Sequence, residues 1–410
     1  MADFFQNGLI TTLHDLRATD TAYLERVLLD ATRHFRLGLI LPVTASDMRA
    51  APFGQIIREL SSGAEFLKEV VIVLNVAPEV DDYRDCLARV SSLGEKAHVI
   101  WGDSPRFQAA YNMLVDAGLN LKTPGKGRAV WTAYGYLMAE PKIKGYVLHD
   151  CDIVTYNREL LLRLCLPIAH PYFDFHFCKA YYARFTDRLH GRVVRILVTP
   201  LLRALISCLG PEPFLLYLDS FRYPLSGEFA ITADLARSNR IPGDWGLEVG
   251  TLAEVFRNIS LKRVCQVDIC PQYEHKHQSP SLEDPAKGLL RMATDILTSI
   301  FRTLASMGTR LHAEDFATIR SAYLRNAQDA IRQYAADAVM NGLQLDRHEE
   351  ELMSESFAQQ IIPAGETVRQ DPTGSNDIPN WARILSAFPD MPNQLRAAAK
   401  DDRQEFGQGK

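Results

Sequence analysis

The stretch Gly145-Tyr146-Val147-Leu148-His149-Asp150-Cys151-Asp152 decides how this chain reads: a short apolar run ends directly in two carboxylates one residue apart. Three similar runs precede it, at 37–43, 70–76 and 97–101. Helical patterns lie between the runs. Leu24, Val27, Leu28, Ala31 and Phe35 recur at helical spacing after a cap at Asp20, and further patterns cover 56–67 and 107–117. Short, continuously apolar strands alternating with amphipathic helices specify an α/β fold whose sheet is mostly parallel and covered on both faces. Ligands of such sheets bind beyond the carboxyl ends of the strands. The residues that follow each run are therefore the first candidates for function.

The 410 residues are 47% hydrophobic and 23% charged, which fits an ordinary globular protein and argues against wholesale disorder. At about 150 residues per domain, the length suggests two domains or one large domain with an appendage. Lys+Arg is 45 and Asp+Glu is 50, so the net charge is −5, without the basic excess of a nucleic-acid binder. The N-terminus lacks a basic region followed by an apolar run, so no signal peptide is expected. No apolar run approaches the roughly 18 residues of a membrane span. The most apolar stretch, 192–218, is broken by Arg195, Arg203 and Glu212. The cysteines number seven and form no Cys-x-x-Cys, so reduced thiols in a cytoplasmic protein are expected.

No internal repeat or low-complexity segment occurs. Residues 173–182 and 262–269 read as strands and 192–209 as an amphipathic helix. From about 284 the pattern turns helical, at 289–304 and 313–343. Pro363, Pro372, Pro379, Pro389 and Pro392 then mark a loosely packed tail, except near 381–388.

Five features carry chemistry. Asp150 and Asp152, at a strand's carboxyl end, can both reach a hard divalent cation such as Mg²⁺ or Mn²⁺; the plain alternative is an Asx-turn or helix cap. Pro124-Gly125-Lys126-Gly127 lets backbone N–H groups and an ammonium approach an anion, or is a flexible loop. His275 and His277 stand in a polar loop as metal or phosphate ligands, or as solvent-exposed histidines. Gly191-Arg192 opens a helix as an anion site, or is an ordinary helix start. The stripe behind it (Val194, Leu197, Leu201, Leu205) reads as core or dimer contact. Gly227-Glu228 and Gly246-Leu247-Glu248 place carboxylates beside glycines, Glu248 where a sugar hydroxyl fits or as a helix-cap acid.

Taken in order, these motifs resemble the glucosyl-3-phosphoglycerate synthases and the related mannosyl-3-phosphoglycerate synthases. The order is a strand ending in Pro, Pro-Gly-Lys-Gly-x-Ala-x-Trp, Asp-x-Asp, Gly-Arg-Val, Gly-Glu-Phe-Ala, Gly-x-Glu-Val-Gly and a His loop. Each motif is short; their common order and spacing from about 37 to 305 make the resemblance specific. It implies a retaining glycosyltransferase of the GT-A fold. The expected organisation is an N-terminal helical segment (1–36) and a catalytic domain (37–283) with a nucleotide-sugar half (37–152) and an acceptor half (153–283). A helical C-terminal region (284–362) and the tail (363–410) follow.

The resemblance also assigns roles. Pro42, Val43, Lys126, Asp150, Cys151 and Asp152 would meet the nucleotide sugar, Lys126 near its diphosphate and Asp150 at the nucleoside. Asp152 and His275 would hold the metal. Gly191 and Arg192 would bind the phosphate of 3-phosphoglycerate, with His277 a further acceptor contact. Glu248 would hold donor sugar hydroxyls, and Lys179, Gly227 and Glu228 would meet substrate. Glu248, Asp152 and Lys126 would carry catalysis. An NDP-glucose donor, Mg²⁺ or Mn²⁺, and a cytoplasmic homodimer are implied.

The sequence departs from the family pattern at Val43-Thr44-Ala45-Ser46-Asp47, where the family reads Ala-Leu-Asn-Glu-Glu. It departs again at Cys151, where Ser is usual, and at Val194, where a hydroxyl residue is common. The rival readings are transfer of mannose from GDP-mannose, a lipid-phosphate acceptor prompted by 192–218, and a non-catalytic binding protein prompted by the helical C-terminal region.

Overall fold

All four apolar runs of the first half fold as strands of one sheet. The computed structural model describes residues 6, 8–16, 20–243, 246–275, 288–374 and 377–407. The strands are β1 (Thr11–Leu13), β2 (Arg36–Thr44), β3 (Leu67–Asn75), β4 (Ala97–Trp101), β5 (Ile143–Leu148), β6 (Phe177–Tyr181), β7 (Phe229–Thr232) and β8 (Val264–Asp268). Their order is β1-β8-β6-β7-β5-β2-β3-β4. Among the described strands only β7 runs antiparallel, to both β5 and β6. The expected strands at 173–182 and 262–269 are shorter than read, and β1 and β7 lie outside the expected set.

Side chains alternate across a strand, so a sheet covered on both faces needs apolar residues at every position. In β2, Leu39 and Leu41 enter one core and Ile40 the other. In β3, Ile72 and Leu74 join the first core, and Val71 and Val73 the second. The first core packs against helices Thr21–Ala31, Ala51–Ser61, Val80–Arg89 and Arg158–Ala169. Asp20 caps the first of these by accepting from the Ala22 N–H at 3.0 Å. That helix stops at Ala31, short of Phe35, and helix Ala51–Ser61 replaces the expected 56–67 because Leu67 already begins β3.

The second core is continuous from the sheet into the C-terminal helices Gly288–Ser306, Ala313–Asn341 and Arg347–Gln370. Ile40, Val71, Ile300, Ile331 and Ile361 belong to one apolar cluster. The stretch 192–218 lies here too. A π-turn at Val193–Val198 leads into helix Thr199–Leu209, and Leu197, Leu201 and Leu205 are fully buried. Its apolar stripe therefore belongs to the protein interior. Among the described residues no helix is long and apolar enough to cross a membrane.

Three expectations need correction. The segment 1–36 is not purely helical, since β1 extends the sheet by pairing with β8. A boundary at 362/363 falls inside helix Arg347–Gln370, which continues through Pro363. The tail is not loosely packed. It forms helices Trp381–Ala387 and Met391–Phe406, with Trp381, Met391 and Leu395 buried. Of its prolines, Pro392 occupies the first turn of a helix, where a missing N–H removes no helical bond. A helix docked by one face needs few apolar residues, which is why the composition read as loose.

Trp381 anchors this docking. Its ring stacks on Trp131 at 4.3 Å between centroids. The Trp381 indole N–H donates to the Trp131 carbonyl at 2.9 Å, and the Trp131 N–H donates to the Pro379 carbonyl at 3.0 Å. Gly135 makes the space, since a Cβ there would lie 2.0 Å from the Trp381 ring. Trp381→Ala should lower unfolding stability by about 3–5 kcal/mol in urea titrations of the full chain. A loss near the 0.5 kcal/mol typical of exposed positions would mean the tail is not integral to the core.

Candidate active site

Strand β5 delivers its acids by alternation. His149 is fully buried, with Nδ1 2.9 Å from the Asp150 carbonyl, and burial pushes its imidazole down to about 4. The next three side chains then alternate: Asp150 and Asp152 keep 28% and 27% of their surface exposed, whereas Cys151 is buried in the first core. Asp150 and Asp152 line a cleft of about 910 Å³ at the carboxyl edge of the sheet. Cys151 does not line it, since its side chain is packed into the first core.

Lys126 opens helix Lys126–Met138. Its ammonium lies 2.6 Å from Asp150 Oδ1 and 3.3 Å from Glu248 Oε1, Glu248 coming from the first turn of helix Leu247–Asn258. Burial disfavours the ammonium, but Asp150, Glu248 and Glu228 outweigh it and hold Lys126 above the usual lysine value. Burial likewise works against the Asp150 carboxylate, and Lys126 overcomes it, so Asp150 titrates below its usual range. Gly227 closes the cluster. A Cβ there would come within 2.4 Å of Asp150 Oδ2 and 2.9 Å of Lys126 Nζ, so only glycine lets the pair form.

Strand β7 is reversed, so the residues before it arrive at the same sheet edge as the residues after β5. Leu148 pairs with Phe229, which places Gly227 and Glu228 beside Asp150. Gly227 lines the cleft. Glu228 is fully buried behind it and accepts from the Tyr182 and Tyr273 hydroxyls at 2.8 and 2.6 Å. Burial and the Asp150 charge push the Glu228 carboxyl above its usual range. Lys179 is also fully buried, donating to the Ser226 carbonyl at 2.6 Å, and burial pushes it down to about 8. Neither Glu228 nor Lys179 lines the cleft. Each spends its polar atoms on the wall of the cleft.

His275 reaches the acids through an isolated bridge between Ile153 and His275, reinforced by the Val154 N–H donating to the Glu274 carbonyl at 2.7 Å. This sets His275 Nδ1 3.4 Å from Asp152 Oδ2. Among the described residues no group of three or more His, Cys, Asp or Glu side chains could hold a metal ion by itself. A carboxylate and an imidazole side by side at the cleft supply two ligands and leave the rest to a substrate, which suits Mg²⁺ or Mn²⁺ beside a diphosphate. His277 lies outside the described residues.

Pro42 and Val43 lie within β2, opposite Val73 and Leu74 of β3, and Val43 is buried in the first core. Neither lines the cleft, whereas Asp47, just beyond the strand, does. Thr44 Oγ1 accepts from the Asp47 N–H at 3.1 Å and donates to its carboxylate at 2.8 Å. Thr44, a cap residue at the end of a strand, is the sequence signal for this turn.

Gly191 and Arg192 line the same cleft, with Arg184, Arg188 and His190. The spacing of these basic residues is visible in the sequence, yet was not read as a group. The Arg192 guanidinium donates to Glu350 at 2.7 Å and to Glu349 at 2.9 Å, both from helix Arg347–Gln370. Its partners come from the C-terminal region, which sequence reading placed outside the site.

No family model matches the chain. It is 42% identical to a glucosyl-3-phosphoglycerate synthase of Persephonella marina over 405 residues, covering 99% of this chain and 100% of that one. A glucosyl-3-phosphoglycerate synthase of Methanococcoides burtonii is 38% identical over 410 residues, covering 98% and 99%. Among solved structures, the fold matches glucosyl-3-phosphoglycerate synthase from Mycobacterium tuberculosis in complex with Mn²⁺, UDP-glucose and phosphoglyceric acid. That match has a TM-score of 0.52 at 20% identity, over 74% of this chain and 89% of that one. Mannosyl-3-phosphoglycerate synthase from Rubrobacter xylanophilus gives 0.54 at 19%, over 74% and 83%. With near-complete coverage at 42% and 38% identity, and with the GT-A sheet carrying its acids at the expected edge, the chain belongs to the glucosyl-3-phosphoglycerate synthases.

Proposed function

We infer that this chain transfers glucose from a nucleoside diphosphate glucose to the C2 hydroxyl of 3-phosphoglycerate, forming glucosyl-3-phosphoglycerate. Full-length kinship with two glucosyl-3-phosphoglycerate synthases carries this reading. The charges of the cleft agree with it. One end gathers Lys126, Asp150, Asp152 and His275, and the other gathers arginines suited to a trianionic acceptor.

In this reading the donor lies across the strand ends, with its nucleoside toward Asp47 and Asp150 and its diphosphate beside Lys126. Asp152 and His275 would hold Mg²⁺ or Mn²⁺, which when bound neutralises charge building on the departing nucleoside diphosphate. Lys126 stabilises the same charge, its ammonium kept protonated by Asp150 and Glu248. Glu248 orients the sugar hydroxyls. Arg192 and the Gly191 N–H hold the acceptor phosphate and present its C2 hydroxyl to the anomeric carbon. The bond from that carbon to the phosphate oxygen breaks as the bond to the C2 oxygen forms. The hydroxyl proton passes to the departing phosphate oxygen on the same face, so configuration is retained. Glu228 is engaged by two tyrosines and Glu248 by Lys126, which leaves neither placed as a nucleophile.

We also propose a homodimer in the cytoplasm. Seven free cysteines, six of them buried, suit a reducing compartment. Val339 and Met340, 81% and 83% exposed near the end of helix Ala313–Asn341, are suited to a contact between copies. Light scattering should give twice the mass of one chain; the mass of a single chain removes the dimer.

Nucleotide release should require both a divalent cation and 3-phosphoglycerate, with hexosyl-phosphoglycerate identified by mass spectrometry. Comparing UDP-, GDP- and ADP-glucose with GDP-mannose fixes the donor. Asp152→Ala should lower metal-dependent turnover by about 100-fold; wild-type rate at limiting Mg²⁺ would refute the metal assignment. Arg192→Ala should raise the acceptor KM by about 30-fold, equivalent to about 2 kcal/mol for a charge-assisted hydrogen bond, with the donor KM little changed. Equal changes in both constants would remove Arg192 from the acceptor phosphate.

A further inference from the structure

Helix Arg347–Gln370 begins with two adjacent glutamates that treat the same arginine differently. Glu350 is 2% exposed. Its Oε1 accepts from Arg192 Nε at 2.7 Å and from Arg195 Nη2 at 3.3 Å, and its Oε2 lies 3.0 Å from Arg195 Nη1. Glu349 keeps 45% of its side chain exposed, lines the cleft and takes Arg192 Nη1 at 2.9 Å. A guanidinium carries five N–H donors. Two of Arg192's are taken by these glutamates, and the other three have no partner among the described residues.

The buried triad is fixed from several sides. Arg195 Nε donates to the His190 carbonyl at 2.7 Å, and the Arg195 guanidinium stacks 4.9 Å over Tyr334 of helix Ala313–Asn341. The Tyr323 hydroxyl donates to the Ile196 carbonyl in the π-turn at 2.7 Å. Gln344, in the turn before the glutamates, donates its N–H to the Asp187 carbonyl at 2.8 Å. The C-terminal region thus holds the Arg192 side chain and the backbone on either side of it, at Asp187 and Ile196. The negative charge of Glu350 keeps both cations in place and leaves the triad one net positive charge for an anion.

We propose that Glu350 is a positioning residue of the acceptor site, holding Arg192 so that its unused N–H groups meet the phosphate of 3-phosphoglycerate, and that Glu349 competes with that phosphate for Arg192. This rests on the reading of Arg192 as the acceptor phosphate ligand. The two neighbours therefore have opposite effects. Removing the buried charge lets the guanidinium drift, whereas removing the rim charge frees an N–H and lifts repulsion of the incoming anion.

The test uses the full chain, with 3-phosphoglycerate as acceptor and inorganic phosphate as competing probe. Glu350→Gln keeps the side-chain shape. It should raise the acceptor KM and the phosphate inhibition constant together by about tenfold, with donor KM and kcat within about twofold. Glu350→Asp should restore part of the loss. Glu349→Gln should lower both constants about threefold, as expected for removal of a partly exposed competing charge. An acceptor KM that stays constant or falls in Glu350→Gln overturns the positioning role, as does a donor KM that rises in step. A constant or higher acceptor KM in Glu349→Gln overturns the competition, and this arm stands even if Glu350→Gln fails to fold. If Arg192→Ala itself leaves the acceptor KM unchanged, the underlying assignment of Arg192 fails. If Arg192→Ala raises it and Glu350→Gln does not, only the positioning role fails.

Discussion

One ammonium organises this molecule's chemistry. Lys126 stands between Asp150 at 2.6 Å and Glu248 at 3.3 Å, with the Glu228 charge behind them. Three carboxylates in so small a volume would repel one another, and burial would drive protons onto them. The lysine charge removes that difficulty, so Asp150 remains ionised while Glu228, farther back, is the one pushed upward. The same contact ties together four elements: the end of β5, the start of helix Lys126–Met138, the first turn of helix Leu247–Asn258 and the entry to β7. Gly227 is the steric condition for it, since any side chain there would displace the ion pair.

The reversed strand β7 is what makes the cluster possible. In an all-parallel sheet the residues before a strand lie at the far edge from those after its neighbour. Because β7 runs against β5 and β6, the loop 226–228 meets Asp150 directly. Tyr182 and Tyr273 then satisfy the Glu228 oxygens, stacked on each other at 3.8 Å. Lys179 fills the layer below. These buried polar groups give the cleft a floor whose hydrogen bonds are already made, which limits rearrangement when a charged substrate arrives.

The C-terminal third is continuous with this machinery. Its helices share one apolar core with the sheet, Trp381 docks its last segment onto helix Lys126–Met138, and Glu349 and Glu350 meet Arg192. The helix that begins with the loop lysine and the helix that begins with the two glutamates therefore share one apolar core.

Much of this was legible in the sequence for simple reasons. Period-two burial on both faces forces continuous apolar runs, so β2 to β5 could be read directly, and with them the sheet edge where Asp150 and Asp152 emerge. Glycines beside Lys126 and Arg192, and the ordered series of short motifs, pointed to the family and its substrates. The sequence could not tell which acids face the cleft. Glu228 and Lys179 look like Glu248 and Lys126 in composition, yet packing buries the first pair and opens the second, because burial depends on neighbours far away in the chain. The partners of Arg192 were invisible for the same reason, since 157 and 158 residues separate it from Glu349 and Glu350. Local pattern determined the strands, the edge and the chemistry available there. Tertiary packing alone decided which charges pair, which are buried and which remain for substrate, because Coulomb and desolvation energies depend on distance in space and not on distance along the chain.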